Sequence, residues 1–125
     1  MIINEQIIRY YNPIVEKSFH FAVRIVKFYR IKVKDNYDVN SLLKQLLRAG
    51  TSIGANVSEA QSAFTKKDFI NKLGISLKES KETEYWLKLL KESEIISEKE
   101  FLSLFNNCEE IIKLLTSIIK SSKEI

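Results

Sequence analysis

Three carboxylates, Glu59, Glu79 and Glu82, have the residue type and spacing that could do chemistry in this chain. Glu79 and Glu82 stand three apart, about one helical turn, so both can face one neighbour. A helical bundle holding a di-iron centre uses a glutamate from each of two helices and a Glu-x-x-His pair from each of the other two. Neither pair is completed here. Glu79 is followed three residues on by Glu82 and Glu82 by Tyr85, and the sole histidine, His20, lies far upstream. The carboxylates therefore read as hydrogen-bonding or ion-pairing groups, with Arg48 and Asn56 as expected partners, because half of a buried ion pair is strongly destabilising.

His20 sits between Phe19 and Phe21, with no serine or acidic residue at a fixed spacing to complete a nucleophilic constellation. Cys108 is the single cysteine, which leaves no internal disulfide and no cysteine cluster for zinc. It reads as a buried thiol acting as a small hydrophobe. Gly50 and Gly54 fall inside a helical pattern rather than a loop, so neither common phosphate-cradling glycine motif is present. The expectation is a protein that is not an enzyme and takes no cofactor or metal. A bundle enzyme with a carboxylate metal site is the catalytic alternative.

Positive charge is what the first half of the chain does carry. Residues 1–67 hold 11 Lys and Arg against 5 Asp and Glu, whereas residues 68–125 hold 9 against 11. Arg24, Lys27, Arg30, Lys32 and Lys34 crowd one segment, and Lys44 and Arg48 follow on the next. The cluster has two readings, a solvated helix face or a surface for phosphates. In the second it lacks a recognition helix or zinc module, so binding to RNA or DNA would be mainly electrostatic and salt-sensitive. An oligomer would repeat the surface once per subunit and strengthen it.

Four amphipathic helices must position these groups. Asn12-Pro13 reads as the start of the first, with Asn12 as cap and Pro13 at the first helical position. Val15, Phe19, Ala22, Ile25 or Val26, Tyr29 and Val33 then keep a helical period up to the turn Asp35–Asp38. The second runs from about Val39 or Asn40 to Ser62. Thr65-Lys-Lys-Asp68 reads as a capping box opening the third, with Asp a weaker partner than Glu. This helix continues to about Ser93 with Phe69, Leu73, Leu77, Ser80, Glu84, Leu87 and Leu90 or Lys91 along one face, its apolar stripe interrupted between Ser80 and Glu84. Ser97-Glu-Lys-Glu100 is a capping box opening the fourth. Its main face is Phe101, Leu102, Phe105, Cys108, Ile112, Leu115 and Ile119, widened by Leu104, Ile111 and Ile118, and residues 121–125 are expected to fray. One proline and three glycines fit long helices and short loops, hence an all-α, antiparallel up-down-up-down four-helix bundle spanning residues 1–125 as one domain. No secretory signal and no stretch long enough to span a membrane is evident, so a cytoplasmic protein is expected.

The second helix contains the segment LLKQLLRAGTSIGANVSEAQ, residues 42–61. Leu43, Leu46, Gly50, Ile53, Gly54, Val57 and Ala60 share one face, pared down in the middle. Each glycine inside a helix costs about 0.5–1 kcal/mol against alanine, and close approach of another helix is the usual compensation. Ser52, Asn56 and Glu59 form a polar row beside that seam. The pared face and the wide apolar surface of the fourth helix together point to self-association.

Two segments carry a family resemblance. Arg48 through Glu59 follow Arg-x-Gly-x-Ser-Ile-x-x-Asn-x-x-Glu, and Lys78 through Leu87 follow Lys-Glu-x-x-Glu-Thr-x-Tyr-Trp-Leu. Together they resemble the four-helix-bundle family named after proteins encoded in 23S rRNA intervening sequences, related to the accessory protein of diversity-generating retroelements. The resemblance implies a homopentameric ring or barrel with no known catalytic activity. In the retroelement branch it also implies binding of nucleic acid through a positive surface and partnership with a reverse transcriptase. Gly50, Gly54, Asn56, Glu59, Glu79, Glu82 and Trp86, with Arg48, then take structural or assembly roles. The alternative function is an oligomeric scaffold for protein partners whose basic face is merely solvated.

Overall fold

The helical periods of the sequence are realised as four α-helices in the computed structural model, which describes the backbone of residues 5–124 and the side chains of residues 13–124. They are α1 (Glu5–Asp35), α2 (Asn40–Ala60), α3 (Lys66–Glu92) and α4 (Glu98–Lys123), with a 3-10 turn, Tyr37–Val39, between the first two. No strand occurs among the described residues. Helix α1 packs against α2 and α4, and α3 packs against the same two. The four thus close into a ring around one shared core.

The helix ends follow local chemistry. The Thr65 hydroxyl accepts from the Asp68 amide and caps α3. Ser97 and Glu100 exchange bonds in a complete capping box at α4. Helix α3 ends in a Schellman arrangement, in which the Ile95 amide donates to the Leu90 carbonyl at 2.9 Å and the Glu94 amide to the Lys91 carbonyl at 3.0 Å. Glu94 occupies the left-handed position at φ 63°, where glycine is usual.

Three expectations are corrected. Helix α1 begins upstream of Asn12-Pro13, so Asn12 lies within it and Pro13 is an interior residue. The Ile7, Tyr10, Tyr11, Ile14 spacing continues the same period back through the proline. The buried face of α1 is Ile14, Ser18, Phe21 and Ile25, whereas Phe19 is 64% exposed. At the far end α4 stays helical through Lys123 with Ser122 buried, because the last turn still covers the core.

Close approach to α2 explains the shift in α1. A Cβ at Gly54 would lie 3.1 Å from the Ser18 carbonyl oxygen, and one at Gly50 would lie 2.8 Å from Ile25 Cγ1. A small residue at 18 lets the backbones meet, which turns the bulky Phe19 outward. Helix α3 uses the same device. Ser76, Ser80 and Thr83 are buried where the apolar stripe looked broken. The Ser76 hydroxyl donates to the Ile53 carbonyl of α2 at 2.9 Å, Ser80 to the Ser76 carbonyl at 2.9 Å, and Thr83 to the Glu79 carbonyl at 2.8 Å. Each buried hydroxyl is thereby satisfied. On α4 the inward residues are Phe101, Leu104, Cys108, Ile111, Leu115 and Ile118. The residues expected to widen the face are thus part of its centre, and Leu102 is exposed.

Gly74 on α3 differs from the other two glycines, since a Cβ there would meet nothing within 4 Å. Gly74→Ala should stabilise an isolated protomer by about 0.5–1 kcal/mol through helix propensity. Urea unfolding would show this as a raised midpoint at unchanged slope.

Candidate nucleic-acid interface

The seven cations singled out in the sequence divide by helix face. On α1 they alternate along the helix but point in different directions around it, Arg24 and Lys32 to α4 and Lys27, Arg30 and Lys34 outward. The Arg24 guanidinium donates to Asn107 Oδ1 at 2.7 Å and to Ser103 Oγ at 2.6 Å on α4. Lys32 pairs with Glu100 at 2.8 Å and lies 5.7 Å from the centre of the Phe28 ring. Arg48, on α2, bridges to α3 by pairing with Glu79 at 3.1 Å and with Glu82. By contrast Lys27, Arg30 and Lys34 are exposed along one outward face of α1 and form no ion pair among the described residues. Lys44 is likewise exposed and unpaired. It stands near the height of Lys27, because Tyr29 bonds Asn40 one turn before it and Ile25 meets Gly50 beyond it. Four cations are therefore available to an anion, and three are engaged in joining helices.

Of the motif residues, Gly50 and Gly54 pack against α1, whereas Arg48, Glu59, Glu79 and Glu82 lie at the contact between α2 and α3. The Arg48 pairs with Glu79 and Glu82 explain why those glutamates lie one turn apart. Glu59 meets Lys72 of α3 at 3.2 Å. Asn56 does not reach the glutamates; its amide donates to the Ser52 carbonyl of its own helix at 2.8 Å. Trp86 packs against the core beside Tyr85, and its indole Nε1 is buried with no partner. His20 is exposed. Cys108 is buried, its thiol donating to the Ser80 carbonyl at 3.3 Å, and burial pushes its pKa well up, away from a reactive thiolate. Among the described residues no three His, Cys, Asp or Glu side chains converge as metal ligands.

A second cationic row went unseen in the sequence. Lys78, Lys81 and Lys88 lie on the outward side of α3 with Tyr85, 58% exposed, between them. Lys78 and Lys81 have no ion pair, while Lys88 stands 5.5 Å from the centre of the Phe105 ring. The net negative balance of residues 68–125 hid them. The 3, 4, 3 spacing of residues 78, 81, 85 and 88 was the signal that could have found them.

Two carboxylates are perturbed. Burial pulls Glu100 upward, but its bonds to Lys32 and to the Ser97 amide outweigh this and hold it below the usual carboxylate value. Glu84 goes the other way, up to about 7, first through burial and then through a hydrogen bond and like charge from Glu109, against weaker opposing pulls from Lys88 and Lys81. An acid raised in the folded state favours folding below its unfolded value, near 4.5, and loses that contribution as the pH rises through about 7. Stability should fall across that window by about 1–2 kcal/mol, allowing for partial exposure. Glu84→Gln should flatten the profile, which denaturation at pH 5 and pH 8 would show.

An all-helical bundle with cationic outer faces on α1 and α3 and polar bridges between its helices is the class of protein these features define. The profile of the 23S rRNA-intervening sequence protein family matches residues 12–117, and the chain belongs to that family. It is also similar to a crystal structure of a protein of unknown function from the S23 ribosomal protein family of Bacteroides thetaiotaomicron. The two are 51% identical with a TM-score of 0.84, over 89% of this chain and 98% of that one. No curated protein matches the chain. Among the described residues no helix is long and apolar enough to cross a membrane.

Proposed function

We propose that this chain is a non-enzymatic, homo-oligomeric protein that binds RNA or DNA electrostatically and presents it to a protein partner. The observation that carries this reading is the division among the cations. Among the described residues Lys27, Arg30 and Lys34 form no ion pair on one outward face and Lys44 is exposed on α2, while Arg24, Lys32 and Arg48 are held in helix-to-helix contacts. Membership of a family named for rRNA intervening sequences supports an RNA-related role.

The bundle is read as antiparallel, up-down-up-down. Contacts between successive helices support this, because they run in opposite order along the chain: Gly50 meets Ile25 and Gly54 meets Ser18, Arg48 meets Glu79 and Glu59 meets Lys72. Self-association, as a pentamer in the state the family resemblance implies, is supported by apolar surface left uncovered on the protomer. A groove of 610 Å³ runs beside Gly74 between Ile70, Leu77 and Ile119, with the exposed Ile75 at its edge. Sedimentation of the purified protein, followed by fluorescence anisotropy with labelled RNA and DNA at low salt, tests both parts. A stable oligomer that binds neither nucleic acid would favour the scaffold reading and sink this one.

A further inference from the structure

A groove between α1 and α4 adds to the cationic face something that phosphate binding does not require. Lys27 stands on its α1 side and Lys99 on its α4 side, both exposed and with no ion pair among the described residues. Between them lies an apolar floor made by Phe28 and Leu104, and Ile31, 65% exposed, forms its rim. Arg24 is fixed at one end by its bonds to Ser103 and Asn107, so its charge is positioned before any ligand arrives. Glu100 also borders the groove, but Lys32 already pairs with it. The groove is open to solvent, with a volume of 410 Å³, so a base can lie against its floor while the chain runs on past it.

Cations alone would suit any nucleic acid. An apolar floor flanked by cations discriminates, because a duplex hides its base faces in the stack and offers this surface only phosphate and sugar. A single strand can turn an unstacked base onto the floor while its neighbouring phosphates reach the rims. We propose that this groove seats a base of single-stranded nucleic acid, with the flanking phosphates on Lys27 and Lys99. This rests on the reading of α1 as a nucleic-acid surface and adds the form of nucleic acid it takes.

The test compares a fluorescein-labelled uridine 20-mer with an RNA duplex of equal length, binding to the full chain at one low salt concentration. The single strand should bind at least about fivefold more tightly. Ile31→Ser, on an exposed position, should weaken single-strand binding about five- to tenfold and duplex binding less than twofold, in line with the usual worth of apolar base contacts. Phe28→Leu, which keeps the apolar volume and removes the aromatic face, should act in the same direction. Duplex binding as tight as single-strand binding, or an Ile31→Ser variant that loses neither or loses both equally, would overturn the groove while leaving the electrostatic surface standing. Failure of the unmodified protein to bind either form would defeat both.

Discussion

Gly54→Val should destabilise the fold by about 2–3 kcal/mol, although valine is the better helix former. The β-carbon would sit 3.1 Å from the Ser18 carbonyl oxygen and 3.3 Å from its carbon. Those atoms are backbone, so relief requires α1 to move rather than a side chain to rotate. Overpacking of this kind costs about 1–3 kcal/mol, and the γ-methyls of valine add to the clash. The few tenths of a kcal/mol gained by replacing glycine within a helix do not offset it. Gly50 is as tightly placed, because a β-carbon there would meet the branch of the buried Ile25 side chain, with Cγ1 at 2.8 Å and Cγ2 at 3.0 Å, atoms that cannot swing aside as the end of a flexible chain would. Gly50→Ala should be destabilising, and less so in an Ile25→Ala background, which removes both clashing γ-carbons, a coupling that a double-mutant cycle in urea would measure. An unchanged midpoint for Gly54→Val would mean that α1 and α2 are not held as closely as the structure shows.

Reversing the free charges of α1 should produce the largest change in binding. The variant with Lys27→Glu, Arg30→Glu and Lys34→Glu removes three cations that make no ion pair, so the protomer should fold normally. Its affinity for nucleic acid should fall by about 10- to 100-fold at low salt, with a correspondingly shallower salt dependence. The control is Lys78→Glu with Lys81→Glu on α3, which changes net charge without touching the α1 face. A small loss there alongside a large loss on α1 assigns the surface. Equal losses would mean that net charge rather than place governs binding, and a larger loss on α3 would move the site to the row containing Tyr85.

The fold was legible where a residue's role is local. Helix starts at Thr65 and Ser97 are set by hydroxyls bonding an amide three residues on, and α2 shows its seam through Gly50 and Gly54. What could not be read was set by neighbours. The inward turn of Ser18 rather than Phe19 depends on how closely Gly54 approaches. Serines 76 and 80 look like a break in an apolar stripe until their hydroxyls find carbonyls inside the bundle. The candidate surface was legible as a cluster of cations but not as a divided one. Whether Arg24 faces Asn107, or Arg48 faces Glu79 and Glu82, depends on which helices become adjacent. The cationic row on α3 was masked because acidic residues on other faces of α3 and α4 cancel it in any count along the chain.

The most direct test of the central claim is the salt dependence of nucleic-acid binding by the unmodified protein. If Lys27, Arg30, Lys34 and Lys44 neutralise phosphates, log Kobs should fall linearly with log salt, with a slope of about −2 to −4 for each protomer engaged. Binding that does not change with salt, or no binding at the lowest salt, would contradict the account.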